Sequence, residues 1–174
     1  STPPGVHAVL FVFDTAMKTA EINDFSVMSF WGLAGINVYL LDLSRGKWEV
    51  PDLEQEAIGF LESHRPKGPK RPRISGAGIE DKASGTGLIQ GLRRKSALRD
   101  IPIIAKQRST DKVSRVNNVL SFIRAGQLWV PESAEKAPWL SAYLGEIAAF
   151  SPGMTHQHDD QVDGASRAFN TLAL

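Results

Sequence analysis

The stretch HAVLFVFD, residues 7 to 14, constrains the fold more than any other part of the chain. A nearly continuous apolar run has no polar face to turn to water, so as a strand it must be covered on both sides. It predicts a central strand of a sheet with a layer of structure on each face. The run stops at Asp14, and a carboxylate ending a buried strand is the first place to look for chemistry.

Downstream, the pattern alternates between strand and helix. DFSVMSFWGL (24 to 33) and INVYLLDLS (36 to 44) are rich in β-branched and aromatic residues, with Gly32 and Gly35 around the turn, and read as a hairpin. In PDLEQEAIGFLESH, Leu53, Ala57, Phe60 and Leu61 recur at helical spacing, and Asp52 with Gln55 reads as a capping box. The prolines from Pro66 to Pro72 make a loop. RISGAGIED is a short strand ending at Glu80 and Asp81, GLIQGLRRKSAL a helix after Gly85 and Gly87, and IPIIAK (101 to 106) another buried strand. A helix from about Thr110 carries Val113, Val116, Leu120 and Ile123 on one face, with Gly126 at its C′ position. QLWVPE is a short strand, EKAPWLSAYLGEIAAF a helix delayed or kinked by Pro138, and Val162, Ala165, Phe169 and Leu172 mark a final helix. This order is an α/β layout whose antiparallel opening cannot come from pure βαβ winding.

At 174 residues the chain suits one domain, residues 1 to 174, with a real core. Its charged fraction of 22% fits a globular protein, no apolar run approaches a bilayer's thickness, and the lack of cysteine excludes disulfides and thiolate zinc sites. An intracellular setting without membrane contact is expected. Charge is unevenly spread: HRPKGPKRPR (64 to 73) and RRK (93 to 95) are positive patches, read either as solvated segments or as phosphate contacts.

The acids gather at Asp14, at Glu80 with Asp81, and in HDDQVD, where Asp159, Asp160 and Asp163 open the last helical pattern. One reading of that cluster is an acidic first turn opposing the helix dipole. The other is a metal site. If the strands ending at Asp14 and Glu80 are adjacent and parallel, and the last helix crosses their ends, the carboxylates converge. Such a cluster favours a hard divalent cation, Mg²⁺ or Mn²⁺. Two ions roughly 3.5–4 Å apart can serve phosphodiester cleavage.

FVFDTAMKTAEINDFSVMSFWG, IEDKASG, and AGQLWVPE through APWLSAYLGEIAAF to HDDQVDGAS, in this order, resemble the C-terminal nuclease domain of the large terminase subunit of tailed bacteriophages. The resemblance implies a ribonuclease H-like fold with a mixed central sheet, a two-metal endonuclease site, and cutting of concatemeric viral DNA during genome packaging. It makes Asp14 the first-strand acid bridging two Mg²⁺ or Mn²⁺ ions. Glu80 matches the acid before the motif glycine, Gly85, with Asp81 as the alternative register. Asp160 is the preferred third ligand; Asp159 holds a metal-bound water or the helix cap, His158 orients a ligand, and Asp163 is a ligand or stands behind one.

The implied partners are double-stranded DNA, the terminase ATPase domain, the small terminase subunit and the portal, in the cytoplasm of an infected bacterial cell. No G-x-x-x-x-G-K-[ST] occurs here, so the ATPase motor is expected to lie outside this chain. A resolvase or integrase-type nuclease, and a non-catalytic DNA-binding or portal-docking domain, are the competing readings. Lys67, Lys70, Arg71, Arg93 and Arg94 are expected to contact the DNA backbone, with Lys18 and Lys112 open between phosphate contact and plain surface. His7 is expected to be structural and His64 exposed, with no catalytic role for either or for His156. Trp31, Trp129 and Trp139 are read as packing residues.

Overall fold

The computed structural model describes residues 2–16, 25–49, 51–82, 84–107, 121, 123–133 and 135–149. The apolar run becomes β1 (Ala8–Asp14), buried up to its last residue. A hairpin follows, β2 (Ser26–Ala34) and β3 (Asn37–Gly46), turning at Gly35 and Ile36. Gly32 lies inside β2 rather than at the turn, paired with Val9 on one side and Tyr39 on the other. Then come α1 (Asp52–Ser63), β4 (Arg73–Glu80), α2 (Ser84–Arg93), a 3₁₀ turn at Ser96–Leu98, β5 (Ile103–Lys106), β6 (Leu128–Trp129) and α3 (Leu140–Ala149).

The sheet order is β5-β4-β1-β2-β3-β6. β1 is central as expected, antiparallel to β2 and parallel to β4. Alternation along β1 sends Val9, Phe11 and Phe13 to one face and Leu10 and Val12 to the other. The first face packs against Leu53, Ala57, Phe60 and Leu61 of α1 and Leu88, Ile89 and Leu92 of α2. Each of the larger side chains stabilises the fold by roughly 1.5–3 kcal/mol when removed from water. The second face is covered by Tyr143 and Ile147 of α3, with Trp139, Leu128 and Val130.

Several expectations need correction. Asp52 does not cap α1: Pro51 holds the N-cap position in a helical conformation without a side-chain bond, and Pro51's carbonyl accepts from Glu54 and Gln55. The helical turn therefore begins before Asp52 can act from outside it. Gly85 and Gly87 lie inside α2, not ahead of it. β5 is shorter than IPIIAK and only half-buried, because no strand among the described residues pairs on its outer side. The helix proposed from Thr110 is described only near its end, where Ser121, Ile123 and Arg124 are helical and Gly126 takes φ of 67°, the left-handed conformation expected of a C′ glycine. α3 starts two residues after Pro138, a delay rather than a kink. The final helical pattern lies outside the described residues.

Candidate metal and nuclease site

β1 and β4 run side by side, with Val12 opposite Gly78 and Phe13 opposite Ile79. One residue further on each strand stand Asp14 and Glu80, at neighbouring strand ends roughly 4.8 Å apart in the sheet. By alternation both point to the face of Leu10, Val12 and Gly78, the side on which α3 packs. Both are half-buried, and one oxygen of the Glu80 carboxylate is shut off from solvent.

Asp81 is placed differently. It is exposed, past the end of β4, and its carboxylate accepts the Thr86 hydroxyl at 2.8 Å across the start of α2. Glu80 is still on β4, and in the strand register it stands opposite Lys106 at the end of β5. On the same face β4 has bare backbone at Gly76 and Gly78, and a Cβ at Gly78 would lie 3.8 Å from Lys106 Cγ, so the lysine's stem runs beside that backbone. A lysine opposite Glu80 in the strand register was not anticipated from the sequence, because register across β4 and β5 is invisible in it.

Beyond Asp14 the chain is held by two serines that composition did not single out. The Ser26 hydroxyl accepts the Ala16 N–H at 3.0 Å, and the Ser84 hydroxyl donates to the Ala16 carbonyl at 2.6 Å. Gly85 is a position of close approach: a Cβ there would overlap the Glu80 carbonyl oxygen and come within 3.2 Å of Thr15 Oγ1.

Asp159, Asp160, Asp163, His158 and His156 lie outside the described residues, as do Lys18 and Lys112. Among the described residues no group of three or more His, Asp or Glu side chains could hold a metal ion. The two acids present fit such an ion in part, as hard oxygen donors brought side by side on one face.

The basic residues are not brought to the acids. Lys67, Lys70 and Arg71 are exposed on the loop before β4, at the end of that strand opposite Glu80. Eight residues of strand put roughly 23 Å between the two ends. Arg93 and Arg94 are also exposed at the far end of α2, and Arg93 donates to the Ile103 carbonyl from Nε at 3.3 Å and Nη2 at 3.0 Å.

His64 is not the exposed residue expected. It is tucked against Phe60 and Phe30 at ring-centroid distances of 4.4 and 5.1 Å, with Nε2 2.6 Å from Asp42 Oδ2. His7 is exposed, contributing only its backbone to the strands. Trp31 is wholly buried and Trp139 donates to Asp42 Oδ1 at 2.9 Å, both packing residues. Trp129 is 49% exposed and stacked on Tyr39. No helix among the described residues is long and apolar enough to cross a membrane.

The family model of the terminase RNaseH-like domain matches residues 69–172, more than half of the chain. That span includes Glu80, Asp81 and the C-terminal aspartates, but not Asp14. A search of curated proteins returns no sequence match. In structure the chain is similar to the large terminase of a thermophilic bacteriophage, with a TM-score of 0.71 at 14% identity over 99% of this chain and 41% of that one. It is similar to the human cytomegalovirus terminase nuclease domain, with a TM-score of 0.70 at 13% identity over 95% of this chain and 83% of that one; a Mn-soaked form of that domain also matches. The large terminase nuclease from the thermophilic phage G20c gives 0.60 at 15% identity, over 92% and 82%. The chain thus spans about two fifths of the first of these, the phage large terminase. With the mixed six-stranded sheet, the helices on both faces and the family match together, the chain belongs to the terminase ribonuclease H-like domain family.

Proposed function

We propose that this domain is a divalent-metal-dependent DNA endonuclease that cuts viral DNA during genome packaging, working in the cytoplasm of the infected host. The observation that carries the reading is the placement of Asp14 and Glu80 on one face, each one residue past the last pair of the adjacent parallel strands β1 and β4. Two carboxylates in that position repel, and a cation relieves the repulsion. Asp160 is the third ligand in this reading, with Asp159 and Asp163 beside it and His158 behind. These residues follow α3, which packs on the face that the two acids share. Bound Mg²⁺ or Mn²⁺, as two ions, would supply the Lewis acid for phosphodiester hydrolysis.

The chain's own contribution is placement. Asp14 and Glu80 supply negative charge at neighbouring strand ends, one residue beyond the last β1–β4 pair. Asp81, occupied with Thr86, ties the start of α2 to the end of β4 instead of joining the ligand set. Lys67, Lys70, Arg71, Arg93 and Arg94 stand too far off to guide a phosphate into the site itself, so they hold a remote stretch of duplex. Contacts of that kind are independent of sequence and weaken with salt. The ATPase domain, small subunit and portal are the partners in this reading.

The test is cleavage of plasmid DNA in Mn²⁺, in Mg²⁺ and in chelator. Parent protein should cut in either metal with little sequence preference and stop in chelator, and Asp14→Asn should lose at least about a thousandfold in rate. Unchanged cutting by a folded, contamination-free Asp14→Asn protein would reject the assignment.

A further inference from the structure

We propose that Ser84, opposed by Ser26, is a positioning residue that holds Asp14 in register with Glu80. The inference rests on the metal reading of those two acids and goes on to name what sets their spacing. The β1–β4 ladder ends at Phe13 and Ile79, so both acids lie one residue beyond the last pair joining their strands. Each is still anchored on its outer side, Asp14 opposite Val27 and Glu80 opposite Lys106. Those anchors tie the acids to different neighbours, and the β1–β4 ladder itself stops one residue short of both.

Ser84 closes that gap across 68 residues of sequence by donating to the Ala16 carbonyl. Ser26 accepts the N–H of the same residue from the other side. Both backbone groups of Ala16, two residues past Asp14, are therefore gripped by buried serines, Ser26 at 1% and Ser84 at 9% exposure. The grip is referenced to Glu80 as well, because the adjacent Gly85 lets the first turn of α2 press directly on the Glu80 carbonyl. One helical turn thus touches the backbone beside both acids. A serine that only satisfied a buried carbonyl would add stability and leave the acids' spacing alone.

Mn²⁺ affinity, measured by calorimetry on the full chain without DNA, separates these roles. Parent protein should bind, Asp14→Asn should not, and Ser84→Ala should bind roughly tenfold more weakly, the usual scale for losing a group that orients a ligand. Ser84→Thr, which keeps the hydroxyl, should recover most of that loss. Asp42→Asn serves as the control, since it lowers stability away from the acids and should leave Mn²⁺ affinity at the parent value. If Ser84→Ala does not melt cooperatively, Ser26→Ala carries the same expectation. Parent-like affinity in Ser84→Ala beside an impaired Asp14→Asn overturns the clamp and leaves the metal reading standing. Equal loss in Ser84→Ala and Asp42→Asn also overturns the clamp. Parent-like affinity in Asp14→Asn overturns both.

Discussion

Asp42 and the Asp14–Glu80 pair are half-buried carboxylates on one sheet, yet their surroundings differ. Asp42 sits on β3 and accepts from the Leu43 N–H at 2.8 Å, Trp139 Nε1 at 2.9 Å and the His64 ring at 2.6 Å. Burial by itself would push its carboxyl up, but these bonds and the His64 charge outweigh burial and hold it below the ordinary value. Its bonds link α1 on one face of the sheet to Trp139 on the other. Asp14 and Glu80, by contrast, place like charge beside like charge. An acid bonded to a histidine and an indole of its own chain is a structural tie, whereas the two acids aligned by a parallel register are the pair to which the proposed function gives a metal ion.

The sharpest way to break that contrast is to remove each charge in turn. Asp14→Asn should abolish cleavage while its thermal midpoint in chelator stays at the parent value or rises, because a repulsion has been relieved. Asp42→Asn should do the reverse. It leaves Trp139 and His64 facing a weaker acceptor, at a cost of about 1–2 kcal/mol once the 40% exposure of the carboxylate is allowed for. That is roughly 2–8 °C in the melting midpoint, with cleavage at low temperature unchanged. If Asp14→Asn melted lower than Asp42→Asn, the roles assigned to the two acids would have to be exchanged.

How much of this was legible in the sequence follows from what each feature depends on. β1, the hairpin, α1 and the order of strands could be read because burial periodicity is local, and Leu53, Ala57, Phe60 and Leu61 carry it without ambiguity. The neighbouring ends of Asp14 and Glu80 were conditional on two strands being adjacent and parallel, which periodicity cannot say and the sheet supplies. Asp81 could not be distinguished from Glu80 because one residue of register decides which carboxylate stays on the strand and which bonds to Thr86 at the start of α2. Ser84, Lys106 and the Asp42–His64 bond were illegible for a different reason. Each joins residues far apart in the chain, and no composition or spacing marks a serine that will meet a carbonyl 68 residues away.

The smallest expected effect tests the structural half of the comparison through pH. His64 Nδ1 lies 2.9 Å from the Phe60 carbonyl and Nε2 2.6 Å from the Asp42 carboxylate. Both partners only accept, so the ring bonds to both at once only when it carries protons on both nitrogens. Burial works against that charge, but the bonds to Asp42 and the Phe60 carbonyl and the Asp42 charge prevail and raise the imidazole above its ordinary value. The position just past the C-terminus of α1 favours a cation as well. A group whose folded value is raised contributes fully below its unfolded value, near 6.5, and loses that contribution as pH climbs through the folded value. Asp42 is lowered, so its share is present above 3.8 and fades only as pH falls through its lower folded value. The tie is therefore strongest in mildly acidic solution. Melting midpoints should fall by up to about 4 °C on the alkaline side of the His64 transition, a contribution of about 1 kcal/mol or less. His64→Gln should flatten that fall, and Asp42→Asn should flatten it too, since without the carboxylate the imidazole loses its main reason to stay charged. A parent-like alkaline fall in both variants would place the titrating group elsewhere and leave His64 as an aromatic packing residue between Phe30 and Phe60.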